Sequence, residues 1–94
     1  MKNNISSNTI IRPAGNAISR EINGEVVLLT SEDSKVHVLD EVASRIWSLF
    51  SGEADVGAIA SAIASEYEVT AETAEADIIE FAGKLMELGV IKVD

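Results

Sequence analysis

The order of the elements constrains this chain most, because strand-like patterns come first and helical patterns follow. Residues 17–22 and 25–30 flank Asn23-Gly24, which accepts the two positive φ angles of a type I′ turn. The chain therefore predicts a β-hairpin. After a polar turn at residues 31–34, apolar and polar side chains alternate over residues 36–38, and this pattern predicts a short third strand ending near Leu39.

Three helical patterns occupy most of the remaining chain. Asp40, Asp55 and Thr70 are suitable N-cap residues, and Gly52 and Gly89 are suitable ends for the first and third helices. The apolar residues after each cap recur at helical spacing: Val42, Ala43, Ile46, Leu49 and Phe50; Val56, Ile59, Ala60, Ile63, Ala64 and Tyr67; Ala74, Ile78, Phe81, Leu85 and Leu88. Residues 90–93 are mostly β-branched and predict a short extended segment at the C-terminal end.

Strands followed by helices predict an α+β fold with a three-stranded antiparallel sheet, three helices and a short C-terminal strand, an arrangement of the winged helix-turn-helix type. The second strand is apolar on both faces, so it should be central. A chain of 94 residues forms one domain. We expect residues 1–16 to be a flexible N-terminal tail that makes some apolar contact with the domain at Ile10–Ile11, and residues 17–94 to be a single domain.

Charge argues against several classes of partner. The net charge is −9, and residues 53–87 carry nine acids against Lys84 alone. Such a field repels nucleic acid and anionic membranes. A winged-helix DNA-binding regulator stays as an alternative that the architecture permits, although its recognition helix would need bases. Neither a targeting segment nor an apolar run of bilayer length is present, so we expect a cytoplasmic protein.

The residue inventory favours no enzyme, no cofactor and no metal site. Cysteine is absent and His37 is the only histidine, which excludes thiolate sites and multi-histidine sites. We expect His37 at the surface or at a rim, Trp47 packed under the sheet, and the helical acids on a solvated face. Asp33-Ser34 is a two-residue match to the phosphopantetheine motif of carrier proteins, so a carrier modified at Ser34 is a weaker alternative.

The remaining indication is a surface suited to peptide binding. A short third strand at an edge would accept an extended peptide as an added strand. The third helix has apolar residues beyond its main stripe, namely Ile79, Ala82 and Met86. This second stripe could line a groove beside the strand, widen the core-facing surface, or be covered in a dimer.

The chain resembles the PqqD family, the small proteins of pyrroloquinoline quinone synthesis and their relatives in other modified-peptide pathways. The pattern covers roughly residues 17–93 as dispersed positions. It is carried by EVVLLT at residues 25–30, VLDEVASRIW at residues 38–47, Gly52, Val56, Ile59, Tyr67, Val69, Asp77, Phe81, Leu85 and residues 89–91. The family often has Leu-Asn, preceded by an aromatic residue, where this chain has Leu39-Asp40 after Val38.

The resemblance implies a non-catalytic domain that binds the leader of a ribosomally made precursor peptide between the third strand and the third helix. It also implies presentation of that peptide to a modifying enzyme, often a radical S-adenosylmethionine enzyme. The expected partners are therefore the leader and such an enzyme, with a homodimer through the same edge as a further alternative. The expected peptide-binding residues are Lys35, Val36, His37, Val38, Leu39, Glu75, Ile78, Ile79, Ala82, Leu85 and Met86.

Overall fold

Two small antiparallel sheets and three helices make up the part of the chain that the structure, a computed structural model, describes: residues 5–15, 17–30 and 35–93. The elements are β1 (Ile11–Pro13), β2 (Ile18–Ile22), β3 (Glu25–Leu29), β4 (Val36–Val38), α1 (Glu41–Leu49), α2 (Val56–Tyr67), α3 (Ala71–Glu87) and β5 (Ile91–Val93). This confirms the α+β class and the order of strands before helices.

The main sheet contains the strands that local sequence predicts, in the order β2-β3-β4. Asn23 and Gly24 have φ angles of 53° and 84°, as a type I′ turn between β2 and β3 requires. β3 is the central strand, which confirms the interpretation of its apolar run. Leu28 on β3 is fully buried, so one face of the sheet covers the core.

Each helix begins at the predicted cap. Asp40 Oδ1 accepts a hydrogen bond from the amide of Ala43 at 2.8 Å, and Asp55 Oδ1 accepts one from the amide three residues on, also at 2.8 Å. Thr70 does the same for α3 at 3.1 Å. These bonds satisfy amides that the first turn of a helix otherwise leaves without partners.

The two predicted glycine ends differ. Gly89 follows the C-cap of α3 with a φ of 72°, the left-handed conformation of a helix end. α1 ends earlier than predicted, with Phe50 as its C-cap. Gly52 instead lies in the following loop with a φ of 83°, and its amide donates to the carbonyl of Ile11 at 3.1 Å.

The N-terminal segment differs from the expected tail over the residues that the structure describes. β1 pairs with β5, with Ile11 opposite Val93 and Pro13 opposite Ile91, and Ile11 is fully buried. The segment packs because its apolar side chains complete the core and its backbone completes a ladder with the far end of the chain. A partner some eighty residues away gives no local signal in the sequence.

Three aromatic rings pack against one another, two in the core and one at its border. The rings of Trp47 and Phe50 meet edge to face with centroids 6.4 Å apart, and Phe50 stacks on Phe81 at 6.1 Å. Trp47 is buried, which confirms its predicted packing. Pairs of this geometry add roughly 0.5–1.5 kcal/mol beyond the area they bury.

A buried serine joins the sheet to α1. Ser44 Oγ accepts a hydrogen bond from the amide of Val26 at 2.8 Å and donates one to the carbonyl of Leu39 at 3.1 Å. The amide of Leu39 in turn donates to the carbonyl of Val26 at 2.8 Å. This network fixes the C-terminal end of β4 against α1, and so it positions the edge described next.

Candidate functional site

β4 forms one edge of the main sheet and directs part of its backbone away from β3. The register pairs Val38 with Val27 and Val36 with Leu29. Two hydrogen bonds between β3 and its partner strand involve the neighbouring positions: the amide of Leu39 donates to the carbonyl of Val26 at 2.8 Å, and the carbonyl of Lys35 accepts from the amide of Thr30 at 3.3 Å. Alternation in an antiparallel ladder therefore points the N–H and C=O groups of Val36 and Val38 outward.

A groove lies beside this edge, between β4 and α3. Its volume is about 530 Å³, within the range of binding clefts. The lining residues are Val36, His37, Val38 and Leu39 from the strand side, and Phe81, Lys84, Leu85 and Leu88 from the helix side. An extended chain laid along β4 would therefore contact outward backbone groups on one side and a mainly apolar helix surface on the other.

The groove differs in charge from the chain as a whole. Among the described residues that line it, Lys84 and His37 are the ionisable ones and none is acidic. The ammonium group of Lys84 lies 3.7 Å from the carboxylate of Glu80, but both side chains are well exposed. An exposed pair of this kind is worth at most about 0.5 kcal/mol, so Lys84 can turn to another anion at little cost.

The structure brings together five of the eleven residues predicted to bind peptide. Val36, His37, Val38, Leu39 and Leu85 all line the groove. The half-buried position of His37 on the groove wall fits the expected rim rather than an open surface. The remaining six do not line it: Lys35, Glu75, Ile78, Ile79, Ala82 and Met86.

The helix residues outside the groove have definite positions elsewhere. Ile78 and Ala82 are fully buried in the core, and Ile79 is half-buried against it. Glu75 is half-buried, whereas Met86 is exposed outside the groove. The expected second stripe therefore does not face the strand.

Three groove residues were absent from the predicted set, namely Phe81, Lys84 and Leu88. Phe81, Leu85 and Leu88 belong to the stripe that the periodicity assigned to the core. Their spacing of four and three residues does mark one helix face. Periodicity alone could not tell whether that face packs into the core or lines the groove, because α3 is long enough for one part of it to do each.

A second cavity of about 330 Å³ adjoins the groove through Phe81, which lines both. It lies between the three helices and is mainly apolar, with Val42 and Val69 exposed at its wall. Two acids, Asp40 and Asp77, also line it. Phe81 therefore borders both the groove and a cleft that could hold an apolar side chain.

A third cavity, of about 370 Å³, lies between β2 and α1 and is more polar. Beside it, Arg45 on α1 forms a two-pronged ion pair with Glu66 on α2, with both nitrogen–oxygen distances at 2.9 Å. The hydrogen bond from the guanidinium lowers the pKa of the Glu66 carboxyl below its usual value. The arrangement joins two helices and leaves Arg45 engaged by a carboxylate.

Other chemistry is not indicated by the residues that the structure describes. Within residues 5–15, 17–30 and 35–93 no group of histidines and acids is arranged to hold a metal ion. In the same ranges no helix is long and apolar enough to cross a membrane. The polar turn at residues 31–34, including Ser34 of the carrier-protein alternative, lies outside the described residues.

Solved structures share this architecture. TbiB1 in complex with the TbiA(beta) leader peptide is 33% identical, with a TM-score of 0.78, and the match covers 86% of this chain and 94% of that one. Lasso peptide synthetase B1 complexed with the leader peptide is 24% identical, with the same TM-score and coverages of 88% and 98%.

A third similar structure is the PqqD truncation of Methylobacterium extorquens PqqCD, described as a functional and stand-alone recognition element for ribosomally synthesised and post-translationally modified peptides. It is 24% identical, with a TM-score of 0.78 and coverage of 94% of both chains. The two matches at 24% identity establish the fold alone.

A search of curated proteins returns no match. The sequence model of one family, coenzyme PQQ synthesis protein D, matches residues 25–91. This span includes β3, β4, all three helices and the start of β5, and so it contains every residue that lines the groove. The family resemblance noted in the sequence is thereby confirmed, and the chain belongs to the PqqD family.

Proposed function

We propose that this protein is a non-catalytic peptide chaperone, which binds the leader of a ribosomally made precursor peptide by strand addition to β4. The single observation that carries the proposal is the outward backbone of Val36 and Val38 beside an apolar groove. The similarity to TbiB1, at 33% identity, supports it, because that protein is in complex with a leader peptide. We further propose that the bound peptide is presented to a modifying enzyme of the radical S-adenosylmethionine type.

Strand addition determines how the leader would be read. The outward N–H and C=O groups of Val36 and Val38 offer four backbone hydrogen bonds, which do not depend on the leader's side chains. Alternate leader residues would then point towards α3, where Phe81, Leu85 and Leu88 present apolar surface. We expect the recognised segment to carry apolar residues at every second position.

Lys84 adds a preference of charge. The acids of the helices could favour a basic leader, but these acids do not line the groove. If the leader places a carboxylate near Lys84, the ammonium group would give up its exposed ion pair with Glu80 and form one that the bound peptide partly shields from solvent. We therefore expect an acidic residue in the leader beside its apolar positions.

The same edge would also form the homodimer that the sequence leaves as an alternative. Two β4 edges that paired with each other would occupy the backbone groups that the leader needs. Two chains of net charge −9 would also repel one another. We propose that a homodimer, where it forms, competes with leader binding. The cytoplasmic location inferred from the sequence is part of the same proposal.

A titration of ¹⁵N-labelled protein with the precursor peptide encoded beside its gene tests the proposal. We expect amide shifts over residues 36–39 and at Phe81, Lys84, Leu85 and Leu88. A peptide of the same composition in scrambled order is the control and should leave these signals unchanged. Shifts confined to residues outside the groove would contradict the proposed site.

A further inference from the structure

The face of the main sheet that points away from the helices has an unusual composition. Its members follow from the register, in which Arg20 lies opposite Val27 and Val27 lies opposite Val38. Side chains directly opposite one another in a sheet share a face. This surface, called the outer face here, consists of Ile18, Arg20, Ile22, Glu25, Val27, Leu29, Val36 and Val38.

The outer face is apolar and open to solvent. Ile18, Ile22, Val36 and Val38 are 55%, 54%, 60% and 62% exposed. They account for four of the seven large apolar side chains that are exposed in the described part of the chain. The solvent side of an antiparallel sheet normally carries polar residues, so a contiguous apolar face indicates a docking surface.

Charge on the outer face specifies the partner. Arg20 lies in the middle of its strand, opposite Val27, and forms no ion pair within the described residues. Glu25 lies at the hairpin end of the face, opposite Ile22. A partner that covers this face must supply apolar side chains and a carboxylate for the guanidinium. A second copy of the chain fits poorly, because Glu25 at the hairpin end is the one carboxylate that the outer face offers, and two chains of net charge −9 repel one another.

The outer face is also continuous with the proposed leader site. A strand added to β4 would lie about 4.8 Å from it and extend the same sheet. Those leader residues that do not point towards α3 would then line up beside Val36 and Val38. A partner seated on the outer face would contact the domain and the bound leader together.

We infer that the outer face docks the peptide-modifying enzyme, through an apolar surface of the enzyme that carries a carboxylate opposite Arg20. This inference rests on the proposed function and adds the place where the enzyme binds. Because the leader enlarges the docking surface, leader and enzyme each raise the affinity of the protein for the other, by the same factor.

The test uses substitutions on β2, which is two strands away from the groove and lines no part of it. The test variant combines Ile18→Ser with Arg20→Glu, and Arg20→Glu alone serves if the double variant is less well folded. Glu21→Gln is the matched control, since Glu21 lies on the same strand but on the opposite face. Biolayer interferometry measures binding of the modifying enzyme encoded beside the gene, with and without the precursor peptide.

We expect the test variant to bind the enzyme alone at least about tenfold more weakly, as the loss of an arginine anchor implies. Its affinity for the precursor peptide should stay within about twofold of the wild type, and the control should match the wild type in both assays. The precursor peptide should strengthen enzyme binding to the wild type.

Three results would overturn the inference. The first is equal enzyme binding by the wild type and the test variant, which would leave leader binding and the proposed function intact. The second is an equal loss of leader and enzyme binding, which would make the outer face part of the leader site. The third is a wild-type dimer, seen by sedimentation, that the test variant abolishes. Failure of the wild type to bind the precursor peptide would instead count against the proposed function.

Discussion

Replacement of Val38 by proline tests strand addition at the level of a single backbone group. The amide of Val38 points away from β3, whereas the amide of the next residue, Leu39, donates to Val26 at 2.8 Å. Proline at position 38 therefore removes an outward donor and leaves the ladder with β3 complete. Edge strands tolerate proline where the missing N–H faces away from the sheet.

The magnitude follows from the number of bonds that the edge offers. Val36 and Val38 together present four outward groups, and Val38→Pro removes one of them. A hydrogen bond of this kind contributes a net ~1 kcal/mol, which corresponds to about a fivefold increase in the Kd for the leader. The proline ring also projects towards the added strand, so fivefold is the smallest effect we expect.

Isothermal titration calorimetry with the precursor peptide measures this effect. Val38→Ala is the matched control, because it shortens the same exposed side chain and keeps the amide. The free energy of unfolding of both variants, measured by thermal denaturation, should stay within about 0.5 kcal/mol of the wild-type value because this edge is exposed. A proline variant that is folded and binds the leader as tightly as Val38→Ala would refute strand addition at β4.

Three further predictions follow from contacts elsewhere. Ser44→Ala should lower the free energy of unfolding by about 1–3 kcal/mol in urea denaturation, because it leaves the amide of Val26 and the carbonyl of Leu39 buried without this partner. Ser48→Ala, on the exposed side of the same helix, should lower the free energy of unfolding by less than about 0.5 kcal/mol. The pKa of Glu66 is lowered in the folded state, so its ion pair with Arg45 contributes stability at a pH above the pKa of an unfolded glutamate, and this contribution is lost as the pH falls through the folded pKa. Glu66→Gln should therefore have a lower melting temperature than the wild type near pH 7. Melting curves across pH should show this difference vanish in acid. Leu88→Asp should weaken leader binding at least about tenfold whereas Met86→Asp should not, since only Leu88 lines the groove; equal effects in fluorescence anisotropy would show that the predicted second stripe is in contact after all.

The elements of the fold follow from short-range signals. The turn at Asn23-Gly24 and the caps at Asp40, Asp55 and Thr70 each depend on residues within four positions, so the sequence predicts them well. The strand β4 follows likewise from alternation over three residues, and the central place of β3 from its apolar run. These signals were sufficient for the class of the fold and for the edge strand that we propose binds the leader.

Contacts between distant parts of the chain could not be predicted from the sequence. The pairing of β1 with β5 joins residues 11–13 to residues 91–93, and neither segment indicates the other. The early end of α1 has a similar origin, because the loop at Gly52 bonds to the backbone of Ile11. In both places a long-range backbone contact shapes the local conformation, and a short stretch of sequence cannot indicate it.

The sequence by itself determined that the three strands of the main sheet precede three helices, that β4 is short, and that α3 has more apolar surface than one stripe needs. Only the tertiary structure decided which part of that surface faces the groove. Helical periodicity shows which side chains share a face, but not what packs against it. Phe81 and Leu88 line the groove, and Ala82 is buried, because of how α3 packs against α2 and β5. For the same reason the apolar outer face became visible only when the register aligned β2, β3 and β4.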